Sequence, residues 1–236
     1  MDHIEKNIFK EGQVLLFDKP LYWTSFDLVN KVRILLKSTF GAGSIKVGHA
    51  GTLDPLASGL MIICTGKATK RIEEFRDMDK EYVATIHLGE TTPSFDLETQ
   101  VDMHYPTDHI TRRMIEKELK GFIGEQYQMP PIYSAKFIEG KRAYEYARKG
   151  LKKDLKPVKV VFRDIKLLDF EMPELQIRLL CSKGTYIRSF ASDLGKALRS
   201  GAYLSALQRS AIGTYRLEQA FNLEKFELFL QQMKLS

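Results

Sequence analysis

Residues 158–181 read VKVVFRDIKLLDFEMPELQIRLLC. Two runs rich in Val, Ile, Leu and Phe, Val158 to Phe170 and Leu175 to Cys181, flank a short break containing Met172-Pro173. Branched and aromatic side chains suit a pleated surface, and Pro cannot donate to a ladder, so two strands joined by a tight turn are expected. A connection this short returns the chain antiparallel, because a parallel partner needs a crossover of a dozen residues or more. Downstream, Tyr186 to Leu198 has helical character, Tyr203 to Tyr215 is extended, and Leu223 to Met233 is an amphipathic helix. Upstream, Asp108 to Leu119 has helical spacing with Gly121 as its C-cap, Tyr133 to Gly140 is a strand entering a turn, and Arg142 to Lys149 is a short basic helix. Nearer the N-terminus, Val14 to Phe17 reads as a strand. Thr24 or Ser25 caps a helix to Lys37, with Phe26, Val29, Val32 and Leu36 on one face. A buried strand Gly59 to Thr65, a helix Lys67 to Arg76 and an alternating strand Glu81 to Leu88 follow, then a loop or edge element from Thr91 to Thr107. Strands and helices mix without a βαβ beat. The fold class is therefore α+β, a mixed, mostly antiparallel sheet with flanking helices in one domain over residues 1–236.

Composition narrows the classes of function. The longest apolar stretch, Leu60 to Cys64, is far too short to span a bilayer, so no membrane association is expected. Met1-Asp2-His3-Ile4-Glu5-Lys6 carries acids and no apolar core, unlike a secretory signal, and a cytoplasmic location follows. Cys64 and Cys181 lie in apolar, strand-like contexts and read as reduced, buried thiols. The net charge is +6, unevenly spread: Ser134 to Arg209 holds 17 basic and 8 acidic residues, against 19 and 22 elsewhere. A basic half of this kind suits a partner that is a polyanion.

Several familiar sites are ruled out. Gly41-Ala42-Gly43-Ser44-Ile45-Lys46 has lysine where a dinucleotide fingerprint needs its third glycine. Gly59 to Lys67 has the wrong spacing for a phosphate loop, and Ala68 stands where Ser or Thr would hold magnesium. The histidines and cysteines show no metal-ligand spacing, so neither metal nor cofactor is expected. What remains is Gly48-His49-Ala50-Gly51-Thr52-Leu53-Asp54-Pro55, leading through Ser58-Gly59 into an apolar strand. Taken alone it reads first as a tight Asp-Pro turn, and only second as a loop whose glycines let backbone approach a ligand.

That loop, through Leu56-Ala57-Ser58-Gly59, resembles the signature of the TruB-type pseudouridine synthases. Further segments match in order: Asp18-Lys19-Pro20 with Thr24-Ser25, Gly66-Lys67-Ala68-Thr69-Lys70, Lys80-Glu81-Tyr82, Tyr133-Ser134-Ala135, Tyr144-Glu145-Tyr146-Ala147-Arg148, and Cys181-Ser182-Lys183-Gly184-Thr185-Tyr186-Ile187-Arg188. The resemblance implies a cofactor-free enzyme that isomerises uridine to pseudouridine at position 55 in the T-loop of tRNA. It makes Asp54 the nucleophile, with the attacked atom, C1′ or C6, left open, and Arg188 the guanidinium paired with it. By the same resemblance His49 enters the space vacated by the flipped nucleotide, the catalytic Tyr82 stacks on the flipped base with its hydroxyl near C5 as a candidate proton acceptor, and Tyr186 and Leu207 line the uracil pocket. Lys136, Lys141, Arg142, Arg148, Lys149, Lys152 and Lys153 would grip the RNA backbone. The expected partner is the tRNA T-stem-loop, bound by a monomer.

Four departures accompany the resemblance. Tyr22 stands where the family usually has glycine, which implies a different backbone path or a local aromatic contact. Thr91-Thr92-Pro93-Ser94-Phe95-Asp96 replaces a segment that commonly carries an extra aspartate. Gln208-Arg209-Ser210 replaces a common Arg-Arg pair, implying one phosphate contact fewer. Many relatives carry a C-terminal PUA domain, and none is expected here after Leu223 to Met233. Two rival readings stay in view: an RNA-binding or tRNA-folding module in which chemistry is secondary, and a synthase of the same fold directed at another RNA.

Overall fold

The computed structural model describes residues 8–41, 45–133, 137–138, 140–142, 146 and 155–235. The chain divides into two compact units, one formed by residues 1–81 with 208–236 and the other by residues 82–207.

In the first unit, β1 (Val14–Lys19) pairs antiparallel with β3 (Ala57–Thr65), setting Phe17 against Met61 and Lys19 against Gly59. A short β2 (Val47–His49) lies antiparallel on the far part of β3, with His49 opposite Ile63. β3 is buried along nearly its whole length, which explains its unbroken apolar run rather than an alternating one. Its Leu60, Ile62 and Cys64 pack with Ala50, Phe75 and Ile212 as one core cluster. Helix α1 (Ser25–Phe40) begins in a capping box: the Thr24 hydroxyl accepts from the Asp27 amide, and the Asp27 carboxylate accepts from the Thr24 amide. Its buried stripe is Leu28, Val29, Val32, Leu36 and Phe40. Phe26 is not part of it; the ring is 65% exposed. The cap sets α1's rotation so that Ser25, not Phe26, faces inward. A 3-10 turn (Gly66–Arg71) and α2 (Ile72–Asp77) replace the single helix expected there, and α5 (Leu223–Leu235) buries Phe226 against Phe17.

In the second unit, β10 (Val158–Glu171) and β11 (Glu174–Cys181) form the expected antiparallel hairpin, closed over Met172-Pro173. A strand not anticipated from sequence, β7 (Gly124–Gln128), pairs antiparallel with the start of β10. Its composition, Gly-Glu-Gln-Tyr-Gln, carries no apolar alternation, so only its partner identifies it. Before it, α3 (Arg112–Phe122) starts from the Thr111 cap and runs through Gly121, which is therefore helical and not a C-cap. Helix α4 (Ile187–Ala197) buries Phe190 between Phe122 and Phe162. β5 (Glu90–Thr91) and β6 (Met103–His104) pair, giving the Thr91 to Thr107 segment its edge ladder. β8 (Phe137–Ile138) and β9 (Lys141–Arg142) form a small hairpin, so Lys141 and Arg142 are strand residues and do not open a helix. β4 (Lys80–Leu88) and β12 (Ala202–Ile212) each contribute residues to both units. The α+β class, with a mixed sheet and flanking helices, is as expected.

Neither cysteine is in a disulfide and both are buried, and burial pushes the Cys64 thiol up to about 11, so it is inert at neutral pH. Among the described residues no helix is long and apolar enough to cross a membrane.

Candidate active site

The first unit holds the loop with Asp54, and its backbone is tied down on both sides of that residue. The Ser25 hydroxyl, buried at the start of α1, donates to the Leu53 carbonyl at 2.9 Å and accepts from the Leu53 amide at 2.8 Å. On the other side, the Tyr22 amide donates to the Pro55 carbonyl at 2.8 Å. The Asp54 carbonyl accepts from the Ala57 amide at 3.0 Å, closing the turn that leads into β3. Asp54 itself is half-buried between these fixed neighbours.

Two buried cations lie against the same loop. Arg209, 1% exposed, donates from Nε to the Leu60 carbonyl at 2.7 Å and from Nη2 to the Gly51 carbonyl at 3.2 Å, clamping both ends of the segment. Its backbone passes so close to Gly59 that a Cβ there would sit 2.4 Å from the Arg209 carbonyl oxygen, at a φ of +105°. Only glycine satisfies both conditions. Arg209 is thus an interior clamp rather than a phosphate ligand. Lys19, fully buried, donates from Nζ to the carbonyls of Pro20 at 2.9 Å and Trp23 at 2.6 Å. Burial pulls its pKa down to about 8, opposed by the nearby Asp54 carboxylate and reinforced by Arg209.

His49 closes β2 just before the loop. Its Nδ1 is buried without a hydrogen-bond partner. Burial lowers the imidazole pKa, the nearby Gly51 backbone opposes this more weakly, and the Arg209 and Arg76 charges lower it further. The ring is therefore neutral at pH 7 and holds an unsatisfied polar atom.

The second unit holds the other expected residues. Arg188, in the first turn of α4, donates from Nη1 to the Tyr133 carbonyl at 2.9 Å and forms an ion pair with Asp96 at 3.5 Å. Both side chains are under 8% exposed. Asp96 is itself fixed: its backbone bridges Leu204 of β12, its carboxylate accepts from the Glu98 amide, and its carbonyl accepts from the Thr92 and Ser94 hydroxyls. The segment that departs from the family pattern thus still supplies a buried aspartate, which sequence reading passed over. Tyr186 caps α4, and the Gln128 amide grips it twice, accepting from its N–H at 2.8 Å and donating to its carbonyl at 2.9 Å. The Ser189 hydroxyl donates to the Met129 carbonyl on the same side. Tyr82 is buried in β4, and Leu207 is half-buried in β12.

The structure therefore brings His49 and Asp54 into one loop, and Arg188 and Tyr186 onto one helix turn. Of the expected RNA-gripping residues, Lys136, Arg148, Lys149, Lys152 and Lys153 lie outside the described residues, and Lys141 and Arg142 are described only as strand β9. Lys19, Ser25, Asp96 and Arg209 were not singled out from sequence for the roles they hold. Their signal, a polar side chain in an otherwise apolar context, is visible only once burial is known. Among the described residues no three His, Cys, Asp or Glu side chains converge as a metal site would require.

Comparison with known proteins places this geometry. Residues 37–187 match the family model described as TruB family pseudouridylate synthase (N terminal domain). The tRNA pseudouridine synthase B of Phocaeicola vulgatus is 56% identical over 227 residues, covering 96% of this chain and 97% of that protein. That of Flavobacterium johnsoniae is 48% identical over 224 residues, covering 94% of this chain and 98% of the relative. Among solved structures, a chain of a Cbf5-Nop10-Gar1 complex superposes with a TM-score of 0.75 at 26% identity, covering 98% of this chain and 57% of that one. Matched along nearly its whole length by relatives more than half identical to it, the chain belongs to the TruB family of pseudouridine synthases.

Proposed function

We propose that the protein isomerises uridine 55 in the T-loop of tRNA to pseudouridine, with Asp54 as nucleophile. The observation that carries this reading is the anchoring around Asp54: Leu53 is held by Ser25, Pro55 by Tyr22, and Lys19 is buried beside them. A half-buried carboxylate fixed in this way is suited to attack, because little motion is lost on reaching the reactive geometry. The reaction breaks the bond from C1′ to N1, turns the base and joins C1′ to C5. The proton leaving C5 is balanced by one gained at N1, so no oxidant or cofactor is needed.

The target base must leave its stack. His49, neutral and with an unpaired Nδ1, suits the space the nucleotide vacates, where a base or sugar edge supplies the missing partner. Tyr82 stacks on the flipped uracil, with Tyr186 and Leu207 as pocket walls. Arg188 is the guanidinium that answers the nucleophile, and Asp96 and the Tyr133 carbonyl hold it in a single orientation. The basic residues between Lys136 and Lys153 grip the RNA backbone, and a soluble cytoplasmic monomer is the acting form.

The test is pseudouridine formation in an unmodified tRNA transcript, without added metal or nucleotide, by wild type and by Asp54→Asn. Conversion at position 55 by wild type alone, with the variant still binding RNA, supports the reading. Tight binding without conversion by either protein refutes it in favour of an RNA-binding module. Conversion at other positions only points to a synthase directed at another RNA.

A further inference from the structure

Tyr22 adopts a φ of +67°, in the left-handed region that a bulky L-residue rarely occupies. The conformation is held by its amide, which donates to the Pro55 carbonyl at 2.8 Å, one residue beyond Asp54. That bond needs only a backbone, and glycine or asparagine would make it with less strain. Nor does the ring serve the core, since Tyr22 is 75% exposed. The strained backbone thus presents an aromatic ring to solvent beside the Asp54 loop, and strain of this kind gathers at ligand-binding positions.

The surroundings indicate what the ring meets. Tyr22 and Trp23 line a groove of about 430 Å³ with Asp27, Asn30, Lys31 and Ile34, and Leu21 and Phe26 are exposed nearby. Of the two charged groups in this groove, only Lys31 has a counter-ion among the described residues. The Asp27 carboxylate accepts from Thr24, and the Lys31 ammonium pairs with Glu227 at 2.9 Å. What is left is aromatic surface beside one uncompensated carboxylate, Asp27, which repels a phosphate and leaves the rings to a nucleobase. Tyr22 itself is one hydrogen bond from the residue after Asp54. We infer that Tyr22 is a substrate-contacting residue, stacking on an unpaired base of the RNA next to the target uridine. This rests on the reading of Asp54 as the reacting group.

The test compares wild type with Tyr22→Asn, Tyr22→Gly and Tyr22→Phe, measuring Kd for an unmodified tRNA transcript, single-turnover conversion and melting temperature. Asn and Gly keep or relieve the left-handed backbone and remove the ring; Phe keeps the ring. Loss of a stacked base predicts affinity about 5- to 100-fold weaker for Asn and Gly, with Phe near wild type. The inference is overturned if either variant loses less than fivefold, which would leave the aromatic face to a protein partner. It is also overturned if Phe loses as much as Asn, or if Asn and Gly both melt more than roughly 5 °C lower, since the ring would then be structural. The two readings can fail separately: wild type that binds but never converts sinks the enzyme reading while the Kd series still decides Tyr22.

Discussion

Replacing Ser25 with alanine removes one oxygen that serves two buried backbone groups. Ser25 and Leu53 are both buried, and the hydroxyl both donates to the Leu53 carbonyl and accepts from its amide. Each group left unpaired costs about 1–3 kcal/mol, so the expected destabilisation is roughly 2–4 kcal/mol after partial relaxation. For a chain of this length that is a fall in melting temperature of roughly 6–12 °C. Leu53 directly precedes Asp54, so the proposed nucleophile loses its register with the substrate as well. A displacement of about an ångström costs up to about 100-fold in rate, and the loss should fall on kcat and leave tRNA Kd within a few-fold. The assays are calorimetric unfolding and single-turnover pseudouridine formation at saturating enzyme. A Ser25→Ala protein melting within about 2 °C of wild type would show that the hydroxyl is not holding the loop, and the positioning account would fall with it.

Asp96→Asn should lower single-turnover conversion by up to about 100-fold while tRNA binding changes little, because Arg188 loses the ion pair that orients it; unfolding should ease by about 3–5 kcal/mol. Near-wild-type conversion would mean that Arg188 acts without Asp96. Lys19 gives a pH test of stability. Its folded pKa of about 8 lies below the ordinary 10.5, so between those values the unfolded chain holds more protons and stability rises with pH. Measured by urea unfolding against Lys19→Met, wild type should gain about 2 kcal/mol from pH 7.5 to 9.5, and a pH-independent difference would contradict the burial of a charged Lys19.

Much of this protein was legible in its sequence. The β10–β11 hairpin followed from composition and a short break, and α1 from Thr24 with Asp27 three residues later. Tyr22 shows where such reading stopped: its identity implied a changed backbone path or an aromatic contact, yet the chain keeps a glycine-like φ and points the ring outward. Phe26 obeyed the helical period and still faces solvent, because the cap sets the rotation of α1. β7 was missed because a strand of Glu, Gln and Tyr owes its form to β10 beside it.

By itself the sequence determined the α+β class, the order of the motifs and the loop that carries Asp54, because propensity, capping and turn chemistry act between neighbours a few residues apart. Only the tertiary structure decided what holds that loop. Arg209 reaches the Leu60 carbonyl across 149 residues of chain and Ser25 reaches Leu53 across 28, while Arg188 finds Asp96 from a helix far along the chain. Such pairings depend on which polar groups folding removes from water and must therefore satisfy, and no local pattern records that.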